Sequence, residues 1–356
     1  MSLGELIYMN ENKIEVESIL IGYGSIGKVH LSQLLSNYTN VLVIDPDLKT
    51  KDKLLELNKA EKIFYSASIE EIKFIRPPKI AVIANWGPDH FSSLIELINL
   101  DVKNFIVEKP LSDSFYELDQ IKEKIKEYKV NLITNMQISY SYLPTLLTKI
   151  KQEYSIGAPI GIFITGGAKC IATMGVHYLA LANTLFGDRP LNVSANLKSS
   201  NINPRNIKFK YLEGSANWEF SNQRYLAINF LNTSQVSLKC EILFQRASAV
   251  IIGNHIEVLL IDTNEAQQLT SPNRTAYPNK TVYKGEAFIF PDGKTGQDII
   301  YENIREIGKK NLNELGLSAT EDLLSALVAS ETFQNYSLPI QLSNDNPLYF
   351  KKWDIS

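Results

Sequence analysis

The sequence predicts two domains: an α/β domain with a doubly wound parallel sheet, followed by an α+β domain built on a large, mostly antiparallel sheet. Residues 1–135 alternate short apolar runs with longer amphipathic stretches, as strands and crossover helices do. Residues 136–356 contain strand-like segments joined by short turns, the pattern of successive hairpins. The length of 356 residues also favours two domains, because domains cluster near ~100–150 residues.

In the first domain, six segments are predicted as buried strands because they are short, apolar on both faces and end near glycine or a polar residue. Residues 1–16 form an extra segment at the N-terminal end. The predicted strands are Ser18–Gly22, Val41–Asp45, Ile63–Ser66, Ile80–Ala84, Asn104–Val107 and Val130–Thr134. The predicted helices, which carry apolar residues at helical spacing, are Ser25–Ser36, Lys49–Leu57, Pro88–Asn99 and Asp113–Tyr128.

The second domain is predicted to bind substrate and to mediate oligomerisation, and its segment Gln268–Asn279 reads as a surface loop. The helix at residues 319–336 is expected to pack back on the first domain. The predicted strands are Ile160–Thr165, Leu191–Leu197, Ile207–Leu212, Ser215–Phe220, Tyr225–Phe230, Gln235–Leu243, Ala249–Gly253 and Glu257–Ile261. The predicted helices are Thr173–Phe186, Gln297–Leu315 and Thr320–Tyr336.

Composition excludes several classes of protein. A formal net charge of −3 argues against a nucleic-acid partner, which would favour a basic face. No apolar run reaches the ~18–20 residues of a membrane helix, and the acidic N-terminal segment does not resemble a secretory signal, so we expect a cytoplasmic protein that does not bind membranes. The two cysteines, Cys170 and Cys240, are expected to be reduced thiols. Four scattered histidines make a catalytic metal improbable.

A glycine-rich loop, Gly22-Tyr23-Gly24-Ser25-Ile26-Gly27, follows the first strand and opens a helix. In a dinucleotide-binding loop the first glycine allows a tight turn, the second lets the backbone approach a pyrophosphate, and the third permits close packing of helix and sheet. Ser25 and Ile26 would place backbone N–H groups at the positive end of the helix. The alternative is a glycine turn in a flavodoxin-like domain that binds no dinucleotide.

Asp45 predicts which dinucleotide would bind. It ends the second strand, 18 residues beyond Gly27, where a carboxylate accepts hydrogen bonds from the adenosine ribose hydroxyls and repels a 2′-phosphate. Pro46 and Asp47 follow, with no arginine to receive that phosphate. The sequence therefore predicts NAD in preference to NADP.

Three further segments carry residues suited to chemistry. Asn85-Trp86-Gly87-Pro88-Asp89-His90 follows the fourth strand, and Glu108-Lys109-Pro110 follows the fifth. Gly175-Val176-His177 lies in the first helix of the second domain. Ligands bind at the carboxyl ends of parallel strands, so we expect the first two segments beside the nicotinamide.

Together these motifs make the chain resemble the glucose–fructose oxidoreductase / inositol dehydrogenase / rhizopine catabolism (Gfo/Idh/MocA) family. The resemblance rests on the glycine loop with His30 after it, Pro88 and His90, Glu108-Lys109-Pro110, Gly175-x-His177, and the segment Ser318–Tyr336. It covers the chain except roughly the first 16 residues and Gln268–Gly296. The occurrence of all these motifs in this order is specific for the family. It does not indicate a particular substrate.

The resemblance implies an NAD(P)-dependent oxidoreductase that transfers hydride between nicotinamide and a sugar or nucleotide-sugar hydroxyl or ketone. It implies that Lys109 and His177 face the substrate carbon, and that Asn85, Trp86, His90, Glu108 and Lys109 line the cofactor. Oxidation of an alcohol needs a base near neutral pH and a cation against the alkoxide, roles that His177 and Lys109 can fill. Without the family context, Lys109 reads as a surface lysine and His177 as a core histidine.

The chain departs from the family pattern at two positions, where Thr173 and Ala180 stand in place of aspartates that many members carry near the histidine. Thr173 is four residues before His177, so on an α-helix it would share a face with the ring and offer a neutral hydrogen bond. Gly166-Gly167, Lys169 and Thr173 resemble members associated with surface polysaccharides and nucleotide sugars. The missing aspartates leave open a catalytically silent NAD-binding sensor or scaffold. No residue pattern in the sequence supports a reductase of another carbonyl or imine class.

Secondary candidates follow the sixth strand, where the family approaches its substrate: Asn135, Gln137, Tyr140 and Tyr142 could hydrogen-bond sugar hydroxyls, although the tyrosines equally suit packing. Lys169 could meet a phosphate or carboxylate, or could simply be solvated. A broad antiparallel sheet with one face uncovered would expose much apolar surface, so we expect a homodimer or homotetramer.

Overall fold

The computed structural model of the chain describes residues 13–57, 59–70, 72–200, 208–261, 280–306 and 313–355, and most of the predicted extra segment 1–16 lies outside them. Contacts divide the described chain into two compact units. The first contains the described residues up to Asn135 together with Tyr301–Leu317, and the second contains Met136–Ile300 and the described residues from Ser318 onward. Among the described helices, none combines the length and apolarity that crossing a membrane requires.

The first unit is built on a six-stranded sheet in which every neighbouring pair is parallel, in the order β4-β3-β2-β6-β7-β8. This order confirms the predicted doubly wound sheet, and the strand order reverses between β2 and β6, where such sheets bind ligands. A short parallel pair, β1 with β5, lies outside it. The strands are β1 Lys13–Ile14, β2 Ser18–Ile21, β3 Val41–Ile44, β4 Ile63–Ser66, β5 Lys73–Phe74, β6 Ile80–Ile83, β7 Asn104–Val107 and β8 Asn131–Thr134.

Four helices follow strands of this sheet, close to their predicted positions. Two begin later than predicted: a 3₁₀ turn occupies Gly87–Asp89, and the Ser114 hydroxyl caps the last helix by accepting the Glu117 N–H at 3.2 Å. These helices are α1 Ser25–Asn37, α2 Lys49–Leu55, α3 His90–Asn99 and α4 Phe115–Tyr128.

The first unit also takes in a later part of the chain. The predicted helix Gln297–Leu315 is wrong in extent, because α8 spans Gly296–Arg305 and α9 spans Glu314–Thr332, with residues 307–312 outside the described ranges. Asn313, just before α9, accepts the Leu132 N–H at 2.7 Å and donates to the Val130 carbonyl at 3.4 Å. It therefore pairs with edge-strand groups of β8 that would otherwise face solvent.

The second unit contains a sheet of nine described strands in the order β16-β15-β14-β13-β9-β12-β11-β10-β17. All neighbouring pairs are antiparallel except β9 with β12, so the mostly antiparallel prediction is confirmed. The strands are β9 Pro159–Gly166, β10 Asn192–Ser199, β11 Leu212–Phe220, β12 Arg224–Phe230, β13 Lys239–Phe244, β14 Ala247–Ile252, β15 His255–Leu260, β16 Lys280–Glu286 and β17 Tyr336–Ser337.

Several predicted elements of this unit are wrong in detail. Residues 208–211 contain no strand beyond an isolated bridge at Lys210, and β11 runs without interruption through Gly214, where a turn was expected, because Gly214 pairs on both sides. The strand predicted from Gln235 begins at Lys239. Tyr336, predicted as helical, starts β17. Residue 207 and the predicted loop Gln268–Asn279 lie outside the described residues.

The other differences concern missed elements and one helix that begins differently from the prediction. The predictions miss the helices α5 Gln137–Tyr140 and α6 Tyr142–Tyr154, and the strand β16. The predicted helix Thr173–Phe186 is a single π-helical turn, Ile171–Gly175, followed by the α-helix α7, Val176–Phe186. A last short helix, α10, spans Pro347–Phe350.

One face of the nine-stranded sheet packs on α7 and one does not. Alternate residues of β12, such as Leu226 and Ile228, are fully buried. The opposite face carries Phe163, Tyr225 and Ile252, which remain 39–54% exposed. Strand register places these three side chains on the same face. An exposed apolar face of this kind is typical of an interaction surface.

Candidate functional site

The glycine loop has the shape that its sequence predicts, and two of its glycines are sterically required. Gly22 has a φ of 90°, and a Cβ there would lie 2.6 Å from the backbone N of Asn85. A Cβ on Gly27 would lie 2.1 Å from the carbonyl oxygen of Gly22. The loop after β2 therefore packs directly against the residue that follows β6, at the point where the strand order reverses.

Gly24 differs from these two because a Cβ there would meet nothing within 4 Å. It caps α1, whose N-terminus has no side-chain cap and no acidic residue in its first turn. The backbone N–H groups of Ser25, Ile26 and Gly27 belong to that first turn, where helical partners are missing and the helix dipole is positive. Open space beside this helix end fits a bound pyrophosphate.

The carboxylate of Asp45 is bonded to the glycine loop. Its Oδ2 accepts the backbone N–H of Tyr23 at 2.6 Å, and its Oδ1 accepts the N–H of Asp47 at 2.9 Å and the Thr50 hydroxyl at 3.3 Å. These bonds hold the carboxylate at the end of β3, next to the strand that leads into the loop. It remains partly accessible, so a further lone pair can accept a ribose hydroxyl.

Asn85 and His90 follow β6 and fix the neighbouring turn. Asn85 donates to the Ser93 hydroxyl at 2.9 Å, and its Oδ1 is buried without a hydrogen-bond partner in the described chain. His90 lies between two carbonyl oxygens, those of Pro110 at 2.7 Å and Asn85 at 3.3 Å. Burial lowers the pKa of His90, although both carbonyls oppose the shift. His90 thus connects the turn after β6 with the turn after β7. Trp86, in the same turn as Asn85, is 41% exposed, and both His90 and Trp86 stay predicted cofactor residues.

Glu108 lies at the centre of a buried hydrogen-bond chain. Its Oε1 contacts His30 Nε2 at 3.1 Å and accepts a short hydrogen bond from the Asn135 amide. Its Oε2 accepts the backbone N–H of Lys109 at 3.4 Å. On the far side, His30 Nδ1 lies 2.9 Å from the Tyr301 hydroxyl.

The charge state of Glu108 follows from these contacts. Burial alone would raise the pKa of Glu108, but the bond from His30, the positive charge of Lys109 and the Asn135 amide hold it at about 2. Glu108 is therefore ionised at neutral pH. Burial raises the pKa of Tyr301 well above its usual value, so its hydroxyl stays protonated.

His177 and Thr173 are both buried in the second unit, at the start of α7. Thr173 lies in the π-helical turn, whereas His177 lies in the first turn of the α-helix. Because a π-helical turn bonds i to i+5, the α-helical rule for residues four apart does not carry over to this pair. A π turn of this kind often marks a functional site.

The remaining candidates, Gln137, Tyr140, Tyr142 and Lys169, lie in the second unit. Gln137 donates to Gln297 at 3.1 Å. Tyr142 is buried, with its ring centroid 5.3 Å from that of Phe290. Burial raises the pKa of Tyr140 to about 12, which keeps it neutral. Lys169 is half-buried.

Sequence reasoning missed the role of two residues. In the sequence, His30, three residues beyond Gly27, stands out only as part of the family resemblance and not as a contact of Glu108. Nothing in the sequence indicates Tyr301, which is 271 residues from His30. Within the described ranges, no group of three or more histidine, cysteine or acidic residues could hold a metal ion.

The parallel sheet and the glycine loop together define a dinucleotide-binding domain of the Rossmann type. Residues 16–136 match the family model described as an oxidoreductase family with an NAD-binding Rossmann fold, GFO_IDH_MocA. This match agrees with the predicted family resemblance over residues 16–136, about the extent of the first domain. No curated protein matches the sequence.

Solved structures share the fold along nearly the whole chain. The WlbA dehydrogenase of Chromobacterium violaceum, solved with NADH and UDP-GlcNAcA, is 16% identical, with a TM-score of 0.68, over 94% of this chain and 98% of its own. UDP-N-acetylglucosamine 3-dehydrogenase GnnA of Acidithiobacillus ferrooxidans is 15% identical, with a TM-score of 0.63, over 90% and 99%. A super-repressor mutant of Gal80p of Saccharomyces cerevisiae is 12% identical, with a TM-score of 0.67, over 91% and 98%. At these identities the similarity establishes the fold alone.

Proposed function

We propose that the protein is an NAD-dependent dehydrogenase or reductase that acts on a CH–OH group of a nucleotide sugar. One observation carries the proposal. The glycine loop, Asn85 and Glu108-Lys109 follow the adjacent strands β2, β6 and β7 at their carboxyl ends, which is where parallel sheets bind their ligands. The nucleotide-sugar class is supported by WlbA, whose structure contains UDP-GlcNAcA, and by the activity in the name of GnnA.

The cofactor in this proposal is NAD in preference to NADP. The open space at Gly24 and the first turn of α1 suit the pyrophosphate, and Asp45 suits the adenosine ribose. Asn85 Oδ1, a buried acceptor without a partner in the described chain, suits an amide or hydroxyl donor of the nicotinamide half. When bound, NAD supplies the hydride acceptor.

Lys109 and His177 are the proposed catalytic residues. In the oxidising direction, His177 accepts the proton of the substrate hydroxyl, and the ammonium group of Lys109 stabilises the developing alkoxide. In the reducing direction, His177 returns the proton to the carbonyl oxygen. Thr173 is proposed to support the histidine, and Gln137, Tyr140, Tyr142 and Lys169 remain proposed substrate residues.

We also propose that the protein is cytoplasmic and forms a homodimer or homotetramer. The exposed face of the nine-stranded sheet, with Phe163, Tyr225 and Ile252, supports this assembly, because apolar side chains exposed on one face favour association. Sedimentation of the purified protein tests it, since a monomer at micromolar concentration would contradict it.

The alternative is a catalytically silent NAD-binding sensor or scaffold. Two observations favour it: Thr173 replaces an acidic residue beside the proposed base, and a repressor, Gal80p, shares the fold. Purified protein mixed with NAD⁺ and UDP-N-acetylglucosamine, UDP-GlcNAcA or the free sugars separates the two functions. We expect NADH to form with a UDP-sugar; tight NAD binding without turnover of any compound would favour the sensor.

A further inference from the structure

The buried chain Tyr301–His30–Glu108 is continuous, because the two ring nitrogens of His30 lie 2.9 Å from the Tyr301 hydroxyl and 3.1 Å from Glu108. Glu108 is ionised and can only accept, so the His30 nitrogen facing it, Nε2, must carry a proton. In a neutral ring Nδ1 is then an acceptor, and the Tyr301 hydroxyl must donate to it. When His30 is neutral, the donors run from Tyr301 through His30 to Glu108; when His30 is protonated, both ring nitrogens donate and the chain of contacts stays intact.

The end of this chain is the backbone of Lys109. Glu108 Oε1 is engaged by His30 and Asn135, and Oε2 accepts the Lys109 N–H. A carboxylate held on both oxygens cannot rotate without breaking a buried hydrogen bond, which is costly. The peptide group that carries the Lys109 side chain is thus fixed by contacts that begin at Tyr301.

Tyr301 belongs to a segment that packs along α1. Arg305, one helical turn further on, donates to the Asn37 side chain at 2.7 Å. Tyr301 contacts α1 near its middle, at His30, and Arg305 contacts its last residue, so both join the same two helices. Of the two side chains, only that of Tyr301 is connected to Glu108, through its hydroxyl and His30; Arg305 Nε donates to the Tyr301 backbone carbonyl at 3.0 Å, a contact that does not involve this hydroxyl. A comparison of variants at Tyr301 and at Arg305 can therefore distinguish weaker packing of this segment against α1 from a specific effect on Lys109.

We propose that Tyr301 is a remote positioning residue for the reaction, which acts through His30 and Glu108 to hold Lys109 in its catalytic position. This rests on the proposed function in one respect, that Lys109 is catalytic. Tyr301 itself touches neither substrate nor cofactor in this proposal. Tyr301 lies outside all the sequence motifs described above, so the proposal extends the set of residues that influence the reaction.

The first test measures Lys109 directly and needs no substrate. Acetic anhydride labels the full-length protein at several pH values, and mass spectrometry compares Lys109 with Lys198, an exposed lysine of the second unit. In Tyr301→Phe we expect the labelling rate of Lys109 to change by about threefold, because its backbone is no longer fixed. Arg305→Ala, the matched control, is expected to leave it unchanged. Equal labelling of Lys109 in wild type and Tyr301→Phe would overturn the proposal.

The second test is a double-mutant cycle on turnover of UDP-N-acetylglucosamine with NAD⁺. Tyr301→Phe should lower kcat roughly 10-fold with NAD affinity unchanged, whereas Arg305→Ala should retain wild-type kcat. In a Lys109→Ala background, Tyr301→Phe should cause no further loss, since its effect passes through Lys109. Losses that multiply would contradict the proposal. A wild-type protein that turns over no substrate would refute the proposed function, and the labelling result alone would then decide the role of Tyr301.

Discussion

The Asp45 carboxylate accepts the backbone N–H of Tyr23 in a hydrogen bond of 2.6 Å, so the acidic residue after β3 is bonded directly to the glycine loop after β2. Replacement of Asp45 therefore affects the loop as well as the ribose. A substitution meant to change cofactor preference has to retain an acceptor for Tyr23. Asparagine does so and removes the charge.

Cofactor preference is the first prediction. Asp45→Asn combined with Pro46→Arg should shift the ratio of NADP to NAD affinity by at least tenfold, about 1.4 kcal/mol, because a repelling charge is replaced by an attracting one. Titration of intrinsic fluorescence with each dinucleotide measures it. Asp47→Asn is the control and should leave the ratio unchanged. Wild-type protein that binds NADP as tightly as NAD would refute the role of Asp45.

The glycine loop gives a prediction that separates folding from binding. Gly24→Ala should weaken NAD binding at least tenfold while the melting temperature stays nearly constant, because the methyl group meets only space reserved for the pyrophosphate. Gly27→Ala should destabilise the fold strongly, since its Cβ would overlap the Gly22 carbonyl. Calorimetry of both variants provides the comparison. Unchanged NAD affinity in Gly24→Ala would place the pyrophosphate elsewhere.

The catalytic pair is predicted to act in the transition state. Lys109→Ala and His177→Ala should each lower kcat by roughly 10²-fold or more and leave NAD affinity nearly intact. Lys103→Ala and His255→Ala are matched controls, because both side chains are exposed. Steady-state kinetics on the identified nucleotide sugar measures the effect. Full activity of either active-site variant would remove that residue from the mechanism.

Thr173 gives a prediction about pH. A negative charge introduced by Thr173→Asp should favour the protonated form of His177, so the pH at which kcat/KM for alcohol oxidation rises should move upward. The sign follows from the charge alone if His177 is the titrating base. Thr173→Asn is the neutral control. An active Thr173→Asp enzyme with an unchanged or lowered pH profile would show that His177 is not the base or that the charge does not reach it.

Stability below neutral pH should depend on His90. Burial lowers the pKa of His90 in the folded state, whereas in the unfolded state its pKa is near the ordinary value of 6.5. Near and below that pH, the folded state therefore binds fewer protons than the unfolded state. The free energy of unfolding should therefore fall as the pH drops below about 6.5, by at most about 1.4 kcal/mol per pH unit from this group. Urea unfolding of His90→Gln should show a smaller pH dependence. His255→Gln, at an exposed position, should resemble wild type.

Sequence patterns correctly predicted those elements whose structure is determined by residues close together in the chain. The strands and glycine loop of the first unit follow from runs of buried residues and from steric demands within a few positions of Gly22 and Gly27. The antiparallel strands of the second unit were predicted less accurately. Gly214 looked like a turn but lies inside β11, because pairing with β10 and β12 outweighs the weak strand propensity of glycine.

The candidate site shows the same division. Asp45, Glu108 and Lys109 follow strands directly, so strand ends identified their location, while the role expected of Lys109 came from the family resemblance. The link from Tyr301 to His30 could not be predicted, because it depends on where a distant segment packs. The π-helical turn before His177 was also missed, since its sequence has the apolar spacing of an ordinary helix.

The later segment that contains Tyr301 and Asn313 has a consequence for engineering. A cut at residue 135 would remove the donor to His30 and the side chain that pairs with β8, leaving a buried ring unsatisfied and a strand edge open to aggregation. The NAD-binding part is thus not a contiguous cassette. A chimaera that exchanges cofactor specificity between relatives has to include residues 301–317 together with the first 135 residues. A protein truncated at residue 135 is expected to misfold, so its failure to bind NAD would not identify a binding residue.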